Sequence, residues 1–338
     1  MSPSMNPQLL LAQRYEREGR HQEAVALVRA AAQAGDAHAL FLLGAHLLRG
    51  THAERAEGVD MIAKAAAREH PQALHRLAVL TAAGHGRRQD WSEAMRLLAK
   101  AGARGDAGAQ AQLSLLGPPE RFDLAAWLSA PPPRMAFTAP RVGVIGGFLA
   151  PRFCDWIVSS ARQKRMQRAS LVDARTSAGA AHPGRTNSSL YLDILEADVI
   201  VRLIKARIGV ALGLPVNRQE SANILRYETG QRFDQHCDFL DRADAAFKEQ
   251  IATFGQRVAT FLIYLNDEYE GGETAFPLLD WSYRGQKGDA LFFWNVSAEG
   301  EVERKLLHAG RPPARGEKWV FSQWVRSKPV EWGVEDEG

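Results

Sequence analysis

The sequence predicts a multidomain chain, an N-terminal all-α helical-repeat solenoid followed by a β-rich sandwich or jelly roll with supporting α-helices. Three observations carry this. The first third recurs at a spacing of 35 residues, a proline cluster follows it, and beyond that short β-branched and aromatic runs are broken by Gly, Asn and Asp.

The repeats come first. "AAAQAGDAHALFLLG" from Ala30, "AAAREHPQALHRLA" from Ala65 and "KAGARGDAGAQAQLS" from Lys100 each close one helix with crowded alanines, break it at a Gly-Asp or His-Pro step, and open the next. Small residues at such positions let neighbouring helices approach closely. The second unit has "REHP" where the others have glycine, so its turn needs another solution. Through "EAVALVRAAAQAG" and "EAMRLLAKAGARGD" this part resembles the Sel1-like branch of the tetratricopeptide repeats, and the resemblance implies a concave surface with a protein partner on it.

Residues 118–141 hold a short helical candidate between prolines, and Pro131 to Pro133 mark a stiff linker. The strand candidates are "RVGVIGG", "SSLYLDI", "ANILRYE", "RVATFLIYLND", "DALFFWNV" and "KWVFSQWVR". Two helices interrupt them, from Pro151 and from Ala197, each with apolar residues three and four apart, as expected of helices backing a sheet. The expected divisions are 1–117 for the repeats, 118–141 for the linker, 142–330 for the β domain and 331–338 for an acidic tail.

Charge narrows the function. Residues 1–130 carry 15 Lys/Arg against 13 Asp/Glu, and the remainder 27 against 26, so no basic face for nucleic acid is expected. No apolar run is long enough for a membrane span, and the N-terminus lacks a secretory pattern. Cys154 and Cys237 form at most one disulfide, which suits a reducing cytoplasm.

The chemistry is expected around "QRFDQHCDF". If this is a strand, His236 and Asp238 share one face and Cys237 points away, giving an imidazole and a carboxylate as two arms of a metal site. A third ligand is needed, and His308, 72 residues on, is the best candidate. Two histidines and a carboxylate with open positions are the set used by non-haem Fe(II) oxygenases. Lys318 follows His308 by ten residues, where an ammonium could hold the far carboxylate of a dicarboxylic cosubstrate.

The surrounding text is specific. "LRYETGQRFDQHCDF", "QRVATFLIYLNDEYEGGETAFP", "KGDALFFWNV" and "LLHAGRPPARGEKWVFSQWVR" together resemble the prolyl 4-hydroxylase family of Fe(II)/2-oxoglutarate dioxygenases, from about Val142 to Lys328. The resemblance implies a double-stranded β-helix, iron on His236, Asp238 and His308, and Lys318 on the 2-oxoglutarate C5 carboxylate. It also implies Tyr227 and Thr274 in the 2-oxoglutarate pocket, and Arg257, Trp324, Glu220 and Arg326 facing a peptide. O2 would be the second cosubstrate and ascorbate a reductant.

Departures bear on the substrate. Phe233 stands where a tyrosine is frequent, Arg326 where some members have histidine, and the segment 239–256 is unusually charged. That segment and 172–188 are the expected lids, and "RTSAG" at 175–179 resembles a peptide-covering motif. The leading expectation is hydroxylation of prolyl residues in a protein recruited by the repeats. Two alternatives are a dioxygenase acting on a free amino acid or small metabolite, and a binding scaffold with a degenerate oxygenase domain.

Overall fold

The computed structural model describes residues 6–172, 179–181 and 184–330. The acidic tail and most of "RTSAG" lie outside the described residues. Contacts divide the described residues into two compact units, one running to Ala126 with Ile194–Ile204, the other holding Trp127–Asp193 and residues 205–330. No described helix is long and apolar enough to cross a membrane.

The first unit is built from antiparallel helical hairpins: α1 (Pro7–Arg17), α2 (His21–Gln33), α3 (Ala37–Leu47), α4 (His52–Ala67), α5 (Pro71–Ala83), α6 (Trp91–Ala103) and α7 (Ala107–Leu116). The break in each repeat is a capping device. Asp36, His70 and Asp106 accept a hydrogen bond from the backbone N–H of Ala39, Ala73 and Ala109 respectively, satisfying a donor that the first helical turn leaves free. The residue before each cap is left-handed. Gly35 and Gly105 take φ of +87° and +90° without strain, and Glu69 takes +60° in the repeat that lacks the glycine.

Small residues set the helix spacing as expected. A Cβ on Gly58 would lie 2.9 Å from the Gly44 carbonyl, so α3 and α4 approach at a distance no larger residue allows. Within the same unit Arg76 donates to the carbonyls of Ile194 (2.8 Å) and Ala197 (3.1 Å), and the Gln112 side chain accepts the Val199 N–H at 3.0 Å.

A short helix, α8 (Leu124–Leu128), precedes the β-rich unit. Its elements are β1 (Arg134–Thr138), β2 (Arg141–Ile145), α9 (Pro151–Arg162), β3 (Gln167–Arg168), β4 (Ser170–Val172), β5 (Gly179–Ala181), β6 (Ser188–Leu192), the part of α10 (Val199–Leu212) from Lys205 on, β7 (Ala222–Tyr227), β8 (Phe233–His236), α11 (Lys248–Phe254) and β9 (Arg257–Tyr264). They continue with β10 (Tyr269–Gly271), β11 (Thr274–Phe276), β12 (Trp281–Tyr283), β13 (Ala290–Trp294), β14 (His308–Gly310), β15 (Pro313–Gly316) and β16 (Lys318–Arg326). Residues 134–138, read from sequence as part of the linker, form the edge strand β1 and pair with β2.

The larger antiparallel sheet runs β1-β2-β13-β9-β16-β7-β6-β3, and the smaller runs β12-β11-β14-β8. Every long strand anticipated from sequence belongs to the larger sheet. Val142, Val144, Leu225, Tyr264, Leu291, Phe293 and Val320 of that sheet pack against Phe233 and Phe276 of the smaller, closing one core between two sheets. This is a double-stranded β-helix, and its open end between β8, β14 and the middle of the larger sheet carries the site.

Candidate active site

His236 ends β8 and His308 begins β14, and the two are register partners across that strand pair. The strand expected to continue through Asp238 instead stops at His236. Asp238 lies just past it, yet turns inward. One ligand atom from each of His236, Asp238 and His308 falls within 4.8 Å of the others, the only such group among the described residues. Cys237 does not belong to it.

Each ligand is oriented by a partner of its own. The Nδ1–H of His236 donates to the Asp234 carbonyl at 2.8 Å and that of His308 to the Leu306 carbonyl at 2.9 Å, so both rings present the Nε2 lone pair. The Nε2 atoms stand 3.6 Å from Oδ1 and Oδ2 of Asp238. Thr260 donates to Asp238 Oδ2 at 2.7 Å, and Asn295 donates in turn to the Thr260 hydroxyl at 3.0 Å. Burial works against the Asp238 charge, but His308, His236 and the Thr260 hydroxyl together hold its carboxyl below the usual range. Burial, and then His308, push the His236 pKa down and keep its imidazole neutral and able to ligate. Phe233 stacks under His236 with ring centroids 3.5 Å apart.

The inner cavity is lined by this triad together with Tyr227, Thr274, Lys318, Val320 and Ser322. Lys318 is 2% exposed, donates to the Gly272 carbonyl at 2.7 Å, and lies over the rings of Tyr227 and Tyr264. Among the described residues no carboxylate is in ion-pair range of it. Burial draws its pKa down to about 7, opposed by Glu273. A buried ammonium without a counter-anion, close to two imidazoles and a carboxylate, is suited to a dicarboxylate whose other end meets a metal. The residues therefore fit Fe(II) and 2-oxoglutarate, with Tyr227 and Thr274 on the walls between.

A second, outer cleft of about 450 Å³ shares Arg185, Phe233, His236, Asp238 and Trp324 with the inner cavity and adds Tyr191, Phe239, Phe247, Gln250 and Arg257. Of the four residues expected to face a substrate, Arg257 and Trp324 line this cleft. Glu220 and Arg326 are not among its described lining residues. Glu220 is instead bonded by Arg257 at 2.8 and 3.0 Å and by Arg326, and these two cations more than offset the burial that opposes its charge. Arg326, 4% exposed, has no free face to offer.

Sequence reasoning missed Arg185, Thr260 and Asn295. Arg185 is buried over the Phe233 ring at 4.5 Å and lines both cavities. A signal existed, since "RTNSSLYL" repeats the Arg-Thr step of "RTSAG" ten residues later and leads directly into a strand. The expected lid 239–256 is tied down rather than loose: the Gln256 side chain bonds both the N–H and the carbonyl of Leu240 at 2.7 Å.

Residues 222–326 match the 2OG-Fe(II) oxygenase superfamily. Prolyl 4-hydroxylase 1 of Arabidopsis thaliana is 34% identical over 210 residues, covering 58% of this chain and 72% of the relative. A viral collagen prolyl hydroxylase from Paramecium Bursaria Chlorella virus-1, solved with 2OG, is 28% identical over 54% of this chain and 94% of its own, with a TM-score of 0.43. A Sel1 repeat protein from Oxalobacter formigenes is 29% identical over 33% of this chain and 51% of its own, with a TM-score of 0.30. With the complete ligand set, the buried lysine and this identity in place, the chain belongs to the prolyl 4-hydroxylase family and is a 2-oxoglutarate- and Fe(II)-dependent dioxygenase that follows an N-terminal run of helical hairpins.

Proposed function

We propose that this enzyme hydroxylates prolyl residues of a peptide or protein. The observation that carries the reading is the outer cleft. It is open enough for a chain, it reaches His236 and Asp238, and it is walled by Tyr191, Phe233, Phe239, Phe247 and Trp324. Aromatic walls of this kind suit proline-containing segments, whose rings pack flat and whose backbone is already extended.

His236, Asp238 and His308 would hold Fe(II), which with 2-oxoglutarate and O2 supplies the oxidation of an unactivated C–H bond as the cosubstrate becomes succinate and CO2. The chain's own residues bind and orient. Lys318 holds the far carboxylate and keeps its proton on Nζ while that anion is present. Tyr227 and Thr274 bound the cosubstrate laterally. Phe233 and Trp324 keep water from the ligand side of the cleft, and Thr260 fixes the Asp238 carboxylate.

In this reading ascorbate serves as reductant, the Sel1-like repeats recruit part of the protein substrate, and the reaction takes place in a reducing cytoplasm, consistent with two free cysteines. The test is incubation of proline-rich peptides with Fe(II) and 2-oxoglutarate, reading a one-oxygen mass gain on proline alongside succinate. Both signals should vanish in Asp238→Ala. Turnover of free proline without any peptide product would overturn the peptide assignment. Val28 lines a largely apolar groove of the helical unit with Leu9, Val25 and Leu42; Val28→Glu should raise KM for a protein substrate while leaving a short peptide cut from it unaffected, and equal effects on both would refute recruitment.

A further inference from the structure

The segment 239–256 contains a 3-10 turn, Ala245–Phe247, leading into one short α-helix, α11, of seven residues and without a buried side chain. A helix of that length does not hold itself together in water, so its position comes from outside ties. Several come from the end of β16. Arg326 donates from Nη1 to the Gly255 carbonyl at 2.9 Å and from Nη2 to Gln250 Oε1 at 3.3 Å. Ser327 N–H donates to the Gln256 carbonyl at 2.8 Å, and Lys328 Nζ to the Ala252 carbonyl at 2.7 Å. The approach depends on Gly255, whose φ is +72° and on which a Cβ would stand 2.0 Å from Ser327 Oγ.

The same guanidinium reaches the other way. Its Nε bonds Glu220, Glu220 holds Arg257 in a two-point pair, and Arg257 lies 3.7 Å over the Trp324 ring. Gln250 and Phe247 form one side of the outer cleft, Arg257 and Trp324 another. Arg326 thus joins both sides without touching the cleft itself. The guanidinium serves a carboxylate, a carbonyl and an amide oxygen from three separate nitrogens; a histidine has two ring nitrogens, and a lysine's three donors all radiate from one.

We propose that Arg326 is a positioning residue that latches α11 against the Glu220–Arg257 pair, making residues 248–255 a fixed wall whose placement sets the affinity for the peptide. The kinetic part rests on the peptide reading above; the latch itself does not.

The experiment uses the full chain loaded with Fe(II) and 2-oxoglutarate, comparing wild type with Arg326→Gln, Arg326→Lys and Gln250→Ala. Loss of a buried charged donor predicts amide hydrogen exchange in 248–255 faster by roughly tenfold in Arg326→Gln. KM for a proline-rich peptide should rise by a similar factor, with a smaller change in kcat and none in the KM for 2-oxoglutarate. Arg326→Lys should recover part of the effect. Gln250→Ala, which removes a single surface-side bond and keeps the fold if Arg326→Gln does not, should move exchange and KM the same way by less. Unchanged exchange in 248–255, or a fall in kcat at constant peptide KM, would overturn the latch. If no peptide is turned over even by wild type, the substrate reading fails, and the exchange data still decide the latch.

Discussion

Thr260→Val is the sharpest probe of how the metal site is built. The substitution keeps the shape of the side chain and removes one hydroxyl, which donates to Asp238 Oδ2 at 2.7 Å in a place where Thr260 is 1% and Asp238 5% exposed. A hydrogen bond to a charged buried acceptor contributes about 1.5–3 kcal/mol. Because the bond is present with and without metal, most of it cancels; what remains is the rotational freedom the carboxylate regains. The lower part of the range seen for partners of metal ligands, roughly tenfold weaker binding, is therefore expected. Asn295 Nδ2, 1% exposed, also loses its acceptor, which should cost about 1–3 kcal/mol of stability and lower Tm. The assay is a Co(II) titration followed by visible absorption, without cosubstrate or peptide, alongside thermal melting. Thr260→Ser should behave as wild type in both. Wild-type Co(II) affinity in Thr260→Val would refute the view that this hydroxyl sets the carboxylate.

Other expectations follow from the same geometry. Lys318 titrates near 7 without ligand; its folded pKa lies below its unfolded one, so its burial destabilises the ligand-free fold below about pH 7, and stability rises with pH between there and the unfolded value. A dicarboxylate requires the ammonium, so 2-oxoglutarate binding at pH 8 should take up a proton, visible as a dependence of calorimetric enthalpy on buffer ionisation; no such dependence would contradict the assignment. Cys237→Ala should keep Co(II) binding, because the thiol lies outside the ligand set, and loss of metal in that variant would contradict the placement. Glu69→Gly should raise stability by about 0.5–1 kcal/mol: relief of a left-handed non-glycine residue outweighs glycine's extra chain entropy and two surface ion pairs, to Lys100 and Arg104. A lower Tm would show that the ion pairs dominate. His70, which caps α5 through Nδ1 as an acceptor, is shifted down by burial and by His38, so the helical unit should be most stable above about pH 6.5 and lose stability as pH falls below it, measured by circular dichroism melts across pH 5 to 8.

What could be read from the sequence divides by length and by distance along the chain. Strands of five to nine residues, such as β9 and β16, show their character in composition; those of three or four, such as β11, β12 and β14, are too short for any period to emerge. His236 and Asp238 were legible as a pair although the reason given was incomplete, since the strand ends before Asp238 and a turn completes the inward placement. Thr260 and Asn295 carry no local mark. They sit on β9 and just past β13, and only strand pairing places them beside Asp238. Arg326 was legible as a departure, but its role depends on Gly255 and Gln250, some seventy residues earlier. Arg185 was hidden behind a better-matching triplet upstream.

Both histidine ligands use the same short-range device, an Nδ1–H donated to the carbonyl two residues back in the chain. Each ring is therefore aimed by its own tripeptide, and the direction of its lone pair survives whatever happens to the rest of the pocket. A metal arriving here does not have to organise the protein around itself, as it must in a zinc finger. Removing it should leave a folded, reloadable enzyme, and exchange of one divalent ion for another should alter reactivity without altering shape.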